Sequence, residues 1–136
     1  MALFDIFRRP RPIRDIREFA DFIDENSAFL VQKAIYEYSR ARAGHYSKVL
    51  FAEPEFHKAV ELSRWRAYPL GLAMVAEVAD GVLRSHFNAD RRREIDALVA
   101  IVLSVFDRYP VPDSLEERVW RELRADLERR LQLIGL

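Results

Sequence analysis

The sequence predicts an all-α fold, a compact bundle of five to seven helices, one of them kinked or broken at Pro69. Three observations lead there. Apolar residues recur at helical spacing along most of the chain. Threonine is absent and only 4 glycines occur, which leaves strands and tight hairpins with little support. Helix start and stop signals also punctuate the chain at regular intervals. At 136 residues and 50% apolar content, residues 15–136 suffice for one helical domain with a real core.

Each element follows from local chemistry. Asp15 with Glu18 three residues on marks a helix start, and Ile16, Phe19, Ala20 and Ile23 form its stripe. "DENS", residues 24–27, interrupts it, and Val31, Ala34, Ile35, Tyr38 and Ala41 predict a second helix stopped at Gly44. Pro54 opens the next, with Phe56, Ala59, Val60, Ser63 and Ala67 as its stripe. Pro69 then either kinks that helix or begins another, whose only polar strip is Glu77, Asp80, Gly81 and Arg84. Asp90 is an N-cap for a helix that is apolar nearly all round between Ile95 and Phe106, hence central in the bundle or covered by a partner. After "YPVPD", Ser114 and Glu117 have capping-box spacing, and Val119, Trp120, Leu123, Leu127, Leu131 and Ile134 line the last helix.

Composition argues against several function classes. Zero formal net charge provides no global attraction to nucleic acid, and cysteine chemistry is absent. "RWRAYP", residues 64–69, mixes arginines and aromatics as single-strand binders do, but equally makes a helix-end packing corner. No histidine has a glutamate three residues before it, so a di-iron carboxylate bundle is not indicated; His57 with Glu61 is expected to form a local pair. There is no Gly-x-Ser-x-Gly elbow and no glycine-rich phosphate loop. The carboxylate pairs Glu53/Glu55 and Glu77/Asp80 read more simply as solvated or ion-paired side chains. The expectation is a protein without metal, cofactor or catalytic residue.

Three surfaces remain as candidates. Residues 1–14 carry four arginines and one aspartate, whereas the rest of the chain is net negative. Leu3, Phe4 and Phe7 form an apolar tip, and Arg8, Arg9, Arg11 and Arg14 follow on a stalk stiffened by Pro10 and Pro12. The apolar-before-basic order is not that of a secretory signal. In kind, the stretch resembles the short N-terminal membrane-targeting segments of some bacterial peripheral proteins, which implies contact with an anionic lipid surface. Docking on another protein, or into a groove of its own bundle, are the competing expectations. Arg91, Arg92 and Arg93 crowd a helix's first turn, against the macrodipole, and form a candidate anion site unless acidic neighbours neutralise them. Tyr38, His45, Tyr46, Trp65 and Tyr68 could line a pocket for a small apolar or anionic ligand, with or without enzymatic turnover.

The sequence thus predicts a non-enzymatic interaction or adaptor bundle. Its expected partner is a protein, or a second copy of itself through the apolar helices over 70–83 and 95–106. The expected location is the cytoplasm, with peripheral attachment to a membrane's inner face as an extension of that reading.

Overall fold

The computed structural model describes residues 13–84 and 90–134. Leu3, Phe4, Phe7, Arg8, Arg9 and Arg11 lie outside the described residues, as does His86. The regular structure of the described chain is all helix, with no strand. Four long helices build it: α1 (Ile16–Ala43), α3 (Pro54–Arg84), α4 (Arg91–Phe106) and α5 (Glu117–Leu133). A 3₁₀ turn (Gly44–Tyr46) and the six-residue α2 (Ser47–Ala52) connect the first two. The expected bundle of five to seven helices is therefore not matched among the described residues, where four long helices and the short connecting α2 occur, because two predicted boundaries are not boundaries.

The first is "DENS". α1 runs through it for 28 residues, since tertiary contacts and burial outweigh its local helix-breaking tendency. Asp24 accepts hydrogen bonds from Tyr68 and Tyr109, Asn26 Nδ2 donates to the Phe22 carbonyl at 2.8 Å, and Ser27 is buried. The second is Pro69, which sits buried inside the 31-residue α3. Burial of Tyr68, Gly71, Leu72 and Ala76 around it keeps α3 helical despite the missing N–H donor.

Other ends follow their signals. Asp15 accepts from the Glu18 N–H at 2.8 Å, and Glu18 accepts from the Arg14 N–H at 2.7 Å, a capping box shifted by one residue on the return bond. Gly44 adopts φ 59°, where only glycine is at ease, and donates to the Arg40 carbonyl. Asp90 caps α4 through the Arg92 N–H at 3.1 Å. Ser114 does not cap α5. The chain turns early to bury Leu115, whose N–H donates to Pro112 at 3.0 Å, leaving Ser114 in the turn and Glu116 at the N-cap without a side-chain bond.

α4 is the central helix. Ile95, Leu98, Val99, Val102, Val105 and Phe106 are all buried, packed among Ile23, Leu72, Ala76, Trp120, Leu127 and Leu131. Most of its large apolar side chains are thus covered within the chain, while Ala97 and Ala100 are exposed. The other apolar helix, α3, is covered on one side only. It packs most extensively against α1, where Gly71 lets the backbones approach: a Cβ there would stand 2.7 Å from Val31 Cγ2 and 3.1 Å from the Ser27 carbonyl oxygen. No helix among the described residues is long and apolar enough to cross a membrane.

Candidate functional site

On either side of that crossing the two helices differ in what they bury. The core stripe of α1 is Ala20, Ile23, Ser27 and Val31. Beside it runs a second stripe, Phe19, Phe22, Asn26 and Leu30, at helical spacing. On α3, Met74, Val75, Val78, Ala79, Val82 and Leu83 form the matching face. With Ile13 at the entry to α1, these residues enclose an open groove of about 530 Å³. It extends from the Gly71 crossing toward the start of α1 and the end of α3. The span from Phe19 to Leu30 sets its length at about 16 Å, at 1.5 Å per helical residue.

The lining is apolar apart from Asn26, whose amide is turned back onto its own helix at the Phe22 carbonyl. Among the described residues no titratable group lines the groove. Its floor is unusually wet for such side chains: Val78 is 69% and Met74 56% exposed, and Phe22, Leu30 and Ile13 are exposed as well. Charge stands only beside it. Glu18 and Glu25 are exposed on α1 one turn either side of Phe22, and Glu77 is exposed on α3 three residues after Met74. Among the described residues neither Glu25 nor Glu77 has a cationic side chain within ion-pair distance. Lys33 lies toward the far end, over the Phe29 ring at 5.9 Å.

The sequence-predicted ligand residues do not share a cavity. Tyr38 and Tyr46 are exposed, and His45 and Tyr46 stack at 4.0 Å at the end of α1. Trp65 and Tyr68 belong instead to an aromatic cluster of the core, with Trp65 at 5.3 Å from Tyr109 and 5.9 Å from Trp120, and Tyr68 at 5.4 Å from Tyr109. Helical spacing showed each as aromatic but not that Trp65 and Tyr68 join Tyr109 and Trp120 while Tyr38 and Tyr46 stay exposed. Glu61 is not held by His57, since its carboxylate accepts from Trp65 Nε1 at 2.8 Å and faces Arg64 at 3.8 Å.

Two carboxylates tie the bundle together. Asp24 on α1 accepts from Tyr68 Oη at 2.5 Å and from Tyr109 Oη at 2.9 Å, with Arg108 Nη1 3.7 Å away. Burial, then the Asp24 carboxylate, raises both phenols above their ordinary range, so both remain donors to Asp24 at neutral pH. Asp80 on α3 is buried and accepts from Arg91 at 2.5 and 2.7 Å and from Arg84 at 2.8 Å. The hydrogen-bonded Arg91 guanidinium holds its carboxyl below the usual range.

That second cluster decides what becomes of the arginines at the start of α4. Arg91 is engaged by Asp80, so the first of the three is neutralised within the fold. Arg92 faces Asp96 at 3.4 Å, and Arg93 is exposed. Arg14 is exposed just before α1, on the groove's entry side. Among the described residues no group of three or more metal-ligating side chains comes together.

The groove itself was only half legible. The sequence showed excess apolar surface over 70–83. The stripe of Phe22 and Leu30 on the partner helix was hidden because "DENS" read as a break in it. Comparison with protein families, curated proteins and solved structures finds no match to this chain.

Proposed function

We propose that this protein is a non-enzymatic interaction module whose α1/α3 groove receives a short apolar segment with basic flanks from a protein partner. One observation carries the reading: a continuous apolar trough about 530 Å³ in volume, with carboxylates beside it and no reactive group in its lining. Such a trough suits the helix-in-groove mode, in which apolar anchors at one-turn spacing supply affinity. The flanking Glu18, Glu25 and Glu77 favour lysines or arginines at the edges of that segment and oppose anionic lipid. The lack of convergent polar groups counts against a small anionic ligand and against turnover. A cytoplasmic protein meeting its partner in solution is the setting this reading implies.

A titration tests it. The probe is a synthetic peptide of the required chemistry, MALFDIFRRPRPIR, added to the full-length chain and to Val78→Asp, with binding followed by NMR. Val78 is 69% exposed, so the substitution leaves the core untouched. The expected result is saturable shifts at Phe22, Leu30, Met74 and Val78, and binding at least about tenfold weaker in Val78→Asp, as for loss of a central anchor. Absence of groove shifts up to about 1 mM peptide, the weakest affinity such a module could use, in wild type and in a full-length Phe4→Ser/Phe7→Ser variant alike, contradicts it.

A further inference from the structure

The groove begins where the described chain begins. Ile13 lines its entry, and the residues immediately before it are a stalk, residues 8–12, and an apolar tip containing Leu3, Phe4, Ile6 and Phe7. This is the chemistry the groove calls for, tethered at its mouth.

Reach, charge and concentration all agree. Residues 8–12 include Pro10 and Pro12, and a proline-rich linker of five residues at about 3.1 Å per residue can reach about 15 Å. That matches the groove's length, so the tip can lie anywhere along it. Arg8, Arg9 and Arg11 then pass the α1 rim, where Glu18 and Glu25 stand exposed. The segment through residue 14 is net positive and the rest of the chain net negative, so attraction acts at longer range as well. A tether this short holds the tip at an effective concentration near millimolar, above that of a second copy under ordinary conditions.

We propose that residues 3–7 seat in the α1/α3 groove of their own chain, so that the groove is self-occupied and a partner binds by displacing them. The proposal rests on the groove being a recognition surface for apolar, basic-flanked segments, and it adds the regulation of that surface.

The chain contains no cysteine, so Ala2→Cys provides a single attachment point for a nitroxide on the full-length protein. The signals read are the side chains of Leu30, Met74 and Val78, with Val49, exposed on α2, as the reference outside the groove. The expected result is paramagnetic broadening of the three groove signals, independent of protein concentration, with Val49 unaffected. Broadening must vanish when spin label and isotope label sit on different molecules. Unbroadened groove signals overturn the proposal, and broadening only in the mixed sample overturns it in favour of exchange between two copies. Flotation with phosphatidylglycerol vesicles while the groove stays unbroadened assigns the tip to a membrane and likewise overturns it.

A second arm separates this failure from that of the groove itself. Full-length Phe4→Ser/Phe7→Ser should bind the peptide MALFDIFRRPRPIR about tenfold more tightly than wild type, because the internal competitor is gone. Equal binding by both chains refutes self-occupation and leaves the recognition reading standing. Binding by neither refutes both.

Discussion

Replacing Gly71 with alanine tests the crossing that shapes the groove. In an exposed helix interior the exchange favours folding by about 1 kcal/mol, through helix propensity. At Gly71 the added methyl would stand 2.7 Å from Val31 Cγ2, 3.1 Å from the Ser27 carbonyl oxygen and 3.6 Å from Ser27 Cβ. The first distance is shorter than real contacts allow, and the second neighbour is backbone, which cannot swing aside. Overpacking of this kind costs about 1–3 kcal/mol. Because α1 must shift as a body, the upper part of that range applies, and the net effect is a loss of about 1–2 kcal/mol. For a domain of this size that lowers Tm by roughly 3–8 °C. Gly81 is the internal control: it lies on the same helix and a Cβ there meets nothing within 4 Å. Gly81→Ala should therefore raise stability by about 1 kcal/mol. Urea denaturation of the two variants and wild type, with tryptophan fluorescence as probe, gives the ordering. If Gly71→Ala is as stabilising as Gly81→Ala, α1 and α3 do not cross closely there and the groove's geometry is wrong.

Two further substitutions probe the buried polar groups. Asp80→Ala should cost about 2 kcal/mol in urea denaturation at neutral pH, less than a fully buried pair because the guanidiniums left behind can reach water. Since the folded Asp80 carboxyl lies below its unfolded value of about 3.9, its contribution is present above that pH and is lost as pH falls through the folded value. The gap between wild type and Asp80→Ala should accordingly narrow in acid, and a gap constant down to about pH 2 would falsify the assignment. Ser27 is buried with its hydroxyl unpartnered, so Ser27→Ala should leave stability unchanged or raise it by up to about 1 kcal/mol, and a clear loss by thermal denaturation shows a partner for that hydroxyl.

The parts of this fold that were legible in sequence are those set by local chemistry. The caps at Asp15, Asp90 and Gly44, the proline start at Pro54 and the inward stripe of the last helix are local features, and each stands where its residues predict. What failed was decided by distant residues. "DENS" has the composition of a break, but Tyr68 and Tyr109 reach across to hold Asp24, and no local rule contains them. Pro69 should disrupt a helix, yet its turn is buried among core residues. The arginines of α4 looked like an anion site because Asp80, eleven residues before Arg91, could not be placed against them from spacing alone. Tyr38 illustrates the opposite error: it falls on an apolar stripe with Val31 and Ile35, but it is exposed, and its neighbour Tyr36 is the aromatic that packs, against Phe51 and Phe56. The groove required both lessons, since it exists only where two uninterrupted helices lie side by side.

The most direct test of the groove as recognition surface is photo-crosslinking from its floor. A benzophenone side chain at position 78 of the full-length protein, with the same side chain at position 49 as the outside reference, is irradiated without and with the peptide MALFDIFRRPRPIR. Both positions are well exposed, Val78 at 69% and Val49 at 63%, so accessibility does not distinguish them. The account predicts that position 78 alone forms adducts, mapped by mass spectrometry to residues 3–7 of the same chain and transferred to the peptide as its concentration rises. Equal labelling from position 49, or no apolar-segment adduct at position 78 under either condition, contradicts it.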